Sequence, residues 1–414
     1  MCAGLLNVRT QSFSMVRAEY DRYHACMSLE LPAMPSSAAV VIIGGGVMGL
    51  SCAYHLAREG VTDVVLLERD ALGSGSTGRA AGGVRTQFSD RANIELSARS
   101  LETFRDFPKR FEQEIDFFEV GYLFLLADGE SLKDFEKGVA LQNELGVSSR
   151  MISVNEAKQL SPLIETDGLL AAAYCPTDGH CTPDSVVLGY ATMARKFGAR
   201  LVTQTEVTGI ERAGSQIRAV ATSRGRIETD TVICTAGAWS QNIASWVDVE
   251  LPVVPLRRQI MVTEPLANFD PATPFTIDFE SSFYYHGSGR QVVFGMSDPD
   301  EKPGFSTETT DAWLPRLERA ISRRAPFLAT VGIASSWAGL YEVTPDNNAL
   351  IGEAEGVERF LYATGFSGHG FLMGPAVGEV VGDLYAGKAP FVDVSGFDAR
   401  RFKIQQKRPE LNVV

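Results

Sequence analysis

Short apolar runs alternate with amphipathic stretches along most of this chain. Ala39-Val40-Val41-Ile42-Ile43 is a β-branched run that reads as a buried parallel strand. Gly44-Gly45-Gly46-Val47-Met48-Gly49 follows at once, then a helix to about Glu59 that Gly60 stops. Residues 64–68 read as a second strand, which completes a β-α-β unit. Ile94, Ala98, Leu101 and Phe104 share one face of a helix expected over 90–118. A strand-rich region opens at 122–126. Residues 185–197 read as a helix, 217–220 and 231–234 as strands, 251–296 mostly as strands, and 313–325 and 375–385 as helices. No repeat or low-complexity linker interrupts the series, so two domains that cross over several times are expected.

Composition narrows the class. The 414 residues are 45% hydrophobic and 21% charged, enough for a sizeable core. Net charge is −13 without a basic block, which argues against nucleic acid and anionic membrane as partners. No apolar run reaches the roughly 18 residues of a membrane helix. Cys2, Cys26, Cys52, Cys175, Cys181 and Cys234 are sparse and irregular, as expected of reduced thiols in a cytoplasmic protein. Cys175 and Cys181 with His180 lack a second ligand pair, so no metal is expected. Residues 1–37 read as a tail or overlong start, with Met27 and Met34 as possible later starts.

The chemistry concentrates in glycine clusters. Gly44-x-Gly46-x-x-Gly49 lies between strand and helix, where a pyrophosphate can sit on the helix N-terminus. Glu68 ends the second strand, placed to accept hydrogen bonds from ribose hydroxyls. This fingerprint serves FAD and NAD alike. A polar loop, Gly73-Ser74-Gly75-Ser76-Thr77-Gly78-Arg79-Ala80-Ala81-Gly82-Gly83, could run beside a long cofactor. Ala236-Gly237-Ala238-Trp239 ends a strand in a tight turn. Gly365-Phe366-Ser367-Gly368-His369-Gly370-Phe371 precedes the last helix, whose N-terminus could stabilise negative charge.

In this order the motifs resemble the D-amino-acid oxidase superfamily of FAD enzymes, in the branch with glycine oxidase, sarcosine oxidase and FAD-dependent proline dehydrogenases. The likeness covers about residues 38–403. It implies an α/β protein. A Rossmann-like FAD-binding domain (38–119, 175–247 and 331–403) would interleave with an α+β substrate domain on a mixed sheet (120–174 and 248–330), and 404–414 would be a C-terminal tail. FAD would be held by Gly44, Gly46, Val47, Met48 and Gly49, with Glu68 and Arg69. The loop would add Ser74, Ser76, Thr77, Arg79, Ala81, Gly82 and Gly83. Val207, Ala236, Gly237 and Trp239 would follow, then Gly339 and, at the last helix, Gly368, His369, Gly370, Phe371 and Leu372.

The resemblance implies hydride transfer from the carbon beside an amine nitrogen to flavin N5. The substrate would be a small secondary or N-methylated amino acid, with a D-amino acid or glycine, or a partner-binding flavin subunit or assembly factor, as alternatives. Arg85 matches a position that holds the substrate carboxylate, a good task for a guanidinium fork, although such an arginine can also pair with a structural acid. Tyr341 and the Tyr285-His286 pair match residues that line the substrate pocket. His369 would act near the flavin edge.

Departures from the pattern also carry expectations. The cysteine that links flavin covalently in monomeric sarcosine oxidase falls on Gly339, so FAD should be non-covalent. The lysine that helps hold the carboxylate falls on Leu372; Arg257 or Arg258 could replace it, or the substrate could be bulkier and less polar. No lysine occurs between Lys196 and Lys302, the region of the oxygen-activating lysine. This favours a dehydrogenase passing electrons to a quinone or partner flavoprotein over one using O2. Homo- or hetero-oligomers remain possible.

Overall fold

The computed structural model describes residues 33–404 and 409–413. The expectations for residues 1–32, with Met27, Cys2 and Cys26, lie outside the described residues.

Two large sheets organise the chain. The first has six strands in the order Leu350–Glu353, Phe360–Thr364, Val232–Cys234, Val40–Ile43, Val64–Leu67 and Arg200–Val202. All neighbours are parallel except the edge strand Leu350–Glu353. The continuous apolar runs at Val40–Ile43 and Val64–Leu67 are buried on both faces. Val40, Ile42, Val64 and Leu66 pack under the helices Val47–Arg58, Arg91–Arg105, Pro183–Lys196 and Gly370–Tyr385. Val41, Ile43, Val65 and Leu67 face the other way, toward a three-stranded sheet over 207–228.

The second sheet has eight strands, in the order Ile333–Val343, Val254–Thr263, Gln291–Met296, Phe283–Ser288, Phe275–Asp278, Tyr122–Leu126, Ala171–Cys175 and Arg150–Ile152. It is mixed: Phe275–Asp278 runs parallel to Tyr122–Leu126 and the other pairs are antiparallel. Its back packs on the helix Leu314–Arg324.

Four segments differ from the sequence reading. Ile333–Val343 belongs to the second sheet, pairing with Val254–Thr263, rather than beginning the third nucleotide-binding segment. The last helix starts at Gly370, five residues early, and runs through Pro375. There the Ala376 N–H is met by Ser100 Oγ at 3.1 Å. Residues 409–413 are not a loose tail: Glu410 and Asn412 are buried. The helix Gly129–Glu144, capped by Asp128, was not foreseen.

Candidate active site

A cavity of about 750 Å³ is lined by residues of both sheets. Of the residues expected to hold FAD or to act on the substrate, Gly49, Tyr285, His286 and the candidate Arg257 lie off its wall.

One end has the features of a dinucleotide cradle. Gly44 has φ +112°, and a Cβ there would fall 2.5 Å from the Thr235 carbonyl oxygen. The bare backbone lets the strand turn into the helix Val47–Arg58, whose N-terminus lies on the cavity wall, with the Val47 N–H donating to Thr77 Oγ1 at 3.1 Å. Gly49, away from the wall, packs that helix on the turn, since a Cβ would sit 1.9 Å from the Gly44 oxygen. The Glu68 carboxylate is fixed by the Gly45 N–H at 2.7 Å and the Asp70 N–H at 2.8 Å, leaving lone pairs for hydroxyl donors. Trp239 carries the Arg69 guanidinium 3.8 Å above its ring and stacks on Phe305 at 5.4 Å.

The loop over 73–83 ties this end to the second sheet. Ser76 Oγ donates to the Leu340 carbonyl at 2.7 Å, Arg79 donates to that of Ala338 at 3.1 Å, and Trp337 Nε1 donates to that of Arg79 at 3.0 Å. Ala81, Gly82 and Gly83 continue along the wall.

At the other end stand Arg85, Tyr341 and His369. Arg85 is buried and donates to the carbonyls of Gln87 at 2.5 Å and Asn412 at 2.6 Å, while its guanidinium rests 4.0 Å from the centre of Phe88. No described carboxylate pairs with it. Tyr341 packs against Gly368, where a Cβ would fall 2.4 Å from the ring. Buried His369 precedes the last helix, with Nε2 free of any described partner.

Two expectations on the substrate side are corrected. Tyr285 points away from the cavity: its hydroxyl meets Ser161 Oγ at 2.7 Å on the back of the sheet. Strand alternation puts Tyr284 on the wall instead. His286 shares that face but stacks on Phe275 at 4.7 Å and His180 at 4.4 Å, off the wall. Of the two candidate arginines, Arg257 pairs with Glu301 at 3.0 Å, whereas Arg258 lines the cavity over the Tyr341 ring at 5.2 Å.

Electrostatics follow from burial. Desolvation raises the pKa of Tyr122, Tyr284 and Tyr341, so all three present neutral phenols. Burial pushes His369 down to about 3, with Arg85 adding to the effect, so its imidazole is neutral. Burial also raises Glu342, whose carboxyl accepts from Thr364 Oγ1 at 2.8 Å.

Sequence reasoning missed Tyr122, Tyr284 and Asn412. Period-two alternation could have separated Tyr284 from Tyr285. Nothing local marks Asn412, which acts through a backbone carbonyl. Among the described residues no group of three His, Cys, Asp or Glu side chains converges as a metal site would. No described helix is long and apolar enough to cross a membrane.

Comparison with known proteins agrees with this arrangement. L-proline dehydrogenase from P. horikoshii superposes with a TM-score of 0.85 at 33% identity, covering 91% of this chain and 100% of that one. FAD-dependent oxidoreductase domain-containing protein 1 of Xenopus laevis is 31% identical over 92% of this chain and 85% of its own length. Mitochondrial sarcosine dehydrogenase of Mus musculus is 30% identical over 89% of this chain, which spans only 42% of that protein. The chain likewise spans less than half of the dimethylglycine dehydrogenases it matches. A model of FAD-dependent oxidoreductases of the D-amino-acid oxidase type matches residues 39–384, and the chain belongs to that family.

Proposed function

We propose that this protein oxidises the CH–NH bond of a small secondary or N-methylated amino acid. The observation that carries the reading is Arg85: a buried guanidinium on the cavity wall with backbone carbonyls but no carboxylate as partners. A charge so placed calls for an anion, and a planar substrate carboxylate suits the fork. The names of the sarcosine, dimethylglycine and proline dehydrogenases among its relatives support this substrate class.

FAD fits the residues present. Gly44 and Gly46 let the backbone come close to a pyrophosphate at the N-terminus of the helix Val47–Arg58, Glu68 offers acceptors to a ribose, and the loop to Gly83 reaches the second sheet. When bound there, flavin supplies the hydride acceptor. Non-covalent binding is supported at Gly339, which offers no thiol and where a Cβ would press on Arg79 at 3.0 Å.

In this reading Arg85 orients the carboxylate, and Tyr284 and Tyr341 wall the carbon to be oxidised with neutral phenols. The acids lining the cavity are Glu68, Asp70 and Glu206 at the nucleotide end and Glu342, which is hydrogen-bonded to Thr364. None is free to hold an ammonium, and two guanidiniums oppose one, so the amine binds neutral with its lone pair available. No lysine lines the cavity among the described residues, which favours a dehydrogenase with a quinone or flavoprotein acceptor over an oxidase. The described cysteines, all free and buried, support a reducing compartment such as the cytoplasm.

The test is anaerobic mixing of the FAD-loaded protein with sarcosine, N,N-dimethylglycine and L-proline. Bleaching of the flavin by one or more supports the reading, and no bleaching by any secondary or N-methylated amino acid overturns it. Acid precipitation that leaves the polypeptide colourless would support non-covalent FAD.

A further inference from the structure

We propose that Arg258 holds a second acidic group of the substrate, so that the site is built for a secondary amino acid carrying two carboxylates. This rests on the amine-oxidation reading above and adds the substrate class.

The inference comes from a charge inventory. Fully buried Arg324 meets Asp278 at 2.7 Å, and buried Arg401 meets Asp346 at 2.8 Å. Arg257, the sequence neighbour, meets Glu301 at 3.0 Å. Arg258 meets no described carboxylate. Its Nη1 donates to the Arg257 carbonyl at 3.0 Å, while Nε is buried and lacks a partner. Buried Arg324 and Arg401 are thus neutralised from within the protein, whereas on this cavity wall buried Arg85 and half-buried Arg258 meet no described carboxylate; Arg79, which also meets none, belongs to the loop at the nucleotide end and donates to the Ala338 carbonyl.

The two guanidiniums rest on different aromatic rings. Arg85 rests on Phe88 and looks toward Phe124 at 5.5 Å, whereas Arg258 projects from the strand Val254–Thr263 over the face of Tyr341. The Tyr341 phenol feels both charges. A single carboxylate in the fork of Arg85 balances one charge. A neutral amine balances none, and the pyrophosphate belongs at the Gly44 turn. Leaving a desolvated guanidinium unpaired is costly, and a second substrate carboxylate would remove that cost. That group can sit on the α-carbon side chain or on the nitrogen substituent.

Non-oxidisable ethers test this without turnover. Methoxyacetate has one carboxylate, 2-methoxysuccinate adds a second on carbon, and oxydiacetate adds one across the ether oxygen. Each is titrated into the FAD-loaded protein while the visible flavin band is followed. One of the two dicarboxylates should bind at least tenfold tighter than methoxyacetate, a difference of about 1.4 kcal/mol. In Arg258→Gln that ratio should fall close to one, and Arg258→Lys should keep part of it. An unaltered flavin spectrum in the variants shows that they are folded, and should Arg258→Gln fail to load FAD, the lysine variant carries the comparison.

Equal binding of all three ethers by the unmodified protein overturns the proposal. So does a ratio that survives Arg258→Gln, or a loss shared equally by mono- and dicarboxylates, which would put Arg258 on the same carboxylate as Arg85. In those cases bleaching by sarcosine or proline would leave the amine-oxidation reading standing. If no amine bleaches the flavin and no ether binds, that reading fails and this proposal with it.

Discussion

Nη2 of Arg85 donates to the backbone carbonyl of Asn412 at 2.6 Å, across 327 residues of chain. The C-terminal segment therefore helps aim the guanidinium proposed to hold the substrate. Glu410 anchors that segment, accepting from Ser89 N–H at 2.8 Å, Ser89 Oγ at 2.7 Å and Asn93 Nδ2 at 2.8 Å.

Glu410→Ala should therefore loosen substrate binding more than cofactor binding. It strands half-buried Ser89, costs buried Asn93 one acceptor and frees Asn412, at about 1–3 kcal/mol for each group left unsatisfied. The expected result is a KM for sarcosine or proline raised tenfold or more with flavin content unchanged. A fall in flavin content without a change in KM would contradict the anchoring role.

Gly368→Ala should disturb the same end of the site. The residue has φ +103°, and the added methyl would meet the Tyr341 ring at 2.4 Å. Backbone strain alone costs on the order of 1–3 kcal/mol. A lower melting temperature together with a drop in kcat/KM is expected. Thermal denaturation and steady-state rates check both.

Gly44→Ala should act at the opposite end. Its methyl would press on the Thr235 carbonyl, 2.5 Å away, and distort the turn that leads into the helix Val47–Arg58. Purified protein should carry little or no yellow colour. Reconstitution with excess FAD, followed by fluorescence, measures the lost affinity.

The bound amine should lose its proton more readily than in water, because two guanidiniums face it and no free carboxylate does. Flavin reduction at saturating sarcosine should rise with pH through an ionisation below that of the free amine. Arg258→Gln should move that ionisation upward. His369, held down to about 3 chiefly by burial, should add no step of its own near neutrality.

Stability should fall as pH drops from 7 to 5. Burial lowers His55, His180 and His369 to about 3 and His286 to about 4, from an ordinary 6.5. The unfolded chain then takes up these protons first, so the stabilisation is present above 6.5 and is lost as pH falls toward about 3. Asp178 works in reverse: burial raises it to about 6, and its contribution is lost as pH rises through that value. Four imidazoles outweigh one carboxyl. Asp178→Asn removes the opposing term, so the decline in melting temperature should become steeper.

The dinucleotide cradle was legible in the sequence because its physics is local. A β-branched run, a glycine turn, a helix and a carboxylate 24 residues on specify one another through short-range geometry, and Gly44, Glu68 and the loop to Gly83 line one cavity. The substrate end was only partly legible. Arg85, Tyr341 and His369 reach the same cavity, but the choice of Tyr284 over Tyr285 follows from which face the second sheet turns inward. That Arg257 meets Glu301 while Arg258 faces the cavity likewise depends on how strands distant in sequence align. The role of residues 409–413 was illegible for the strongest reason. A buried cation accepts any carbonyl that folding brings to it, and a backbone carbonyl has no residue type by which to be recognised.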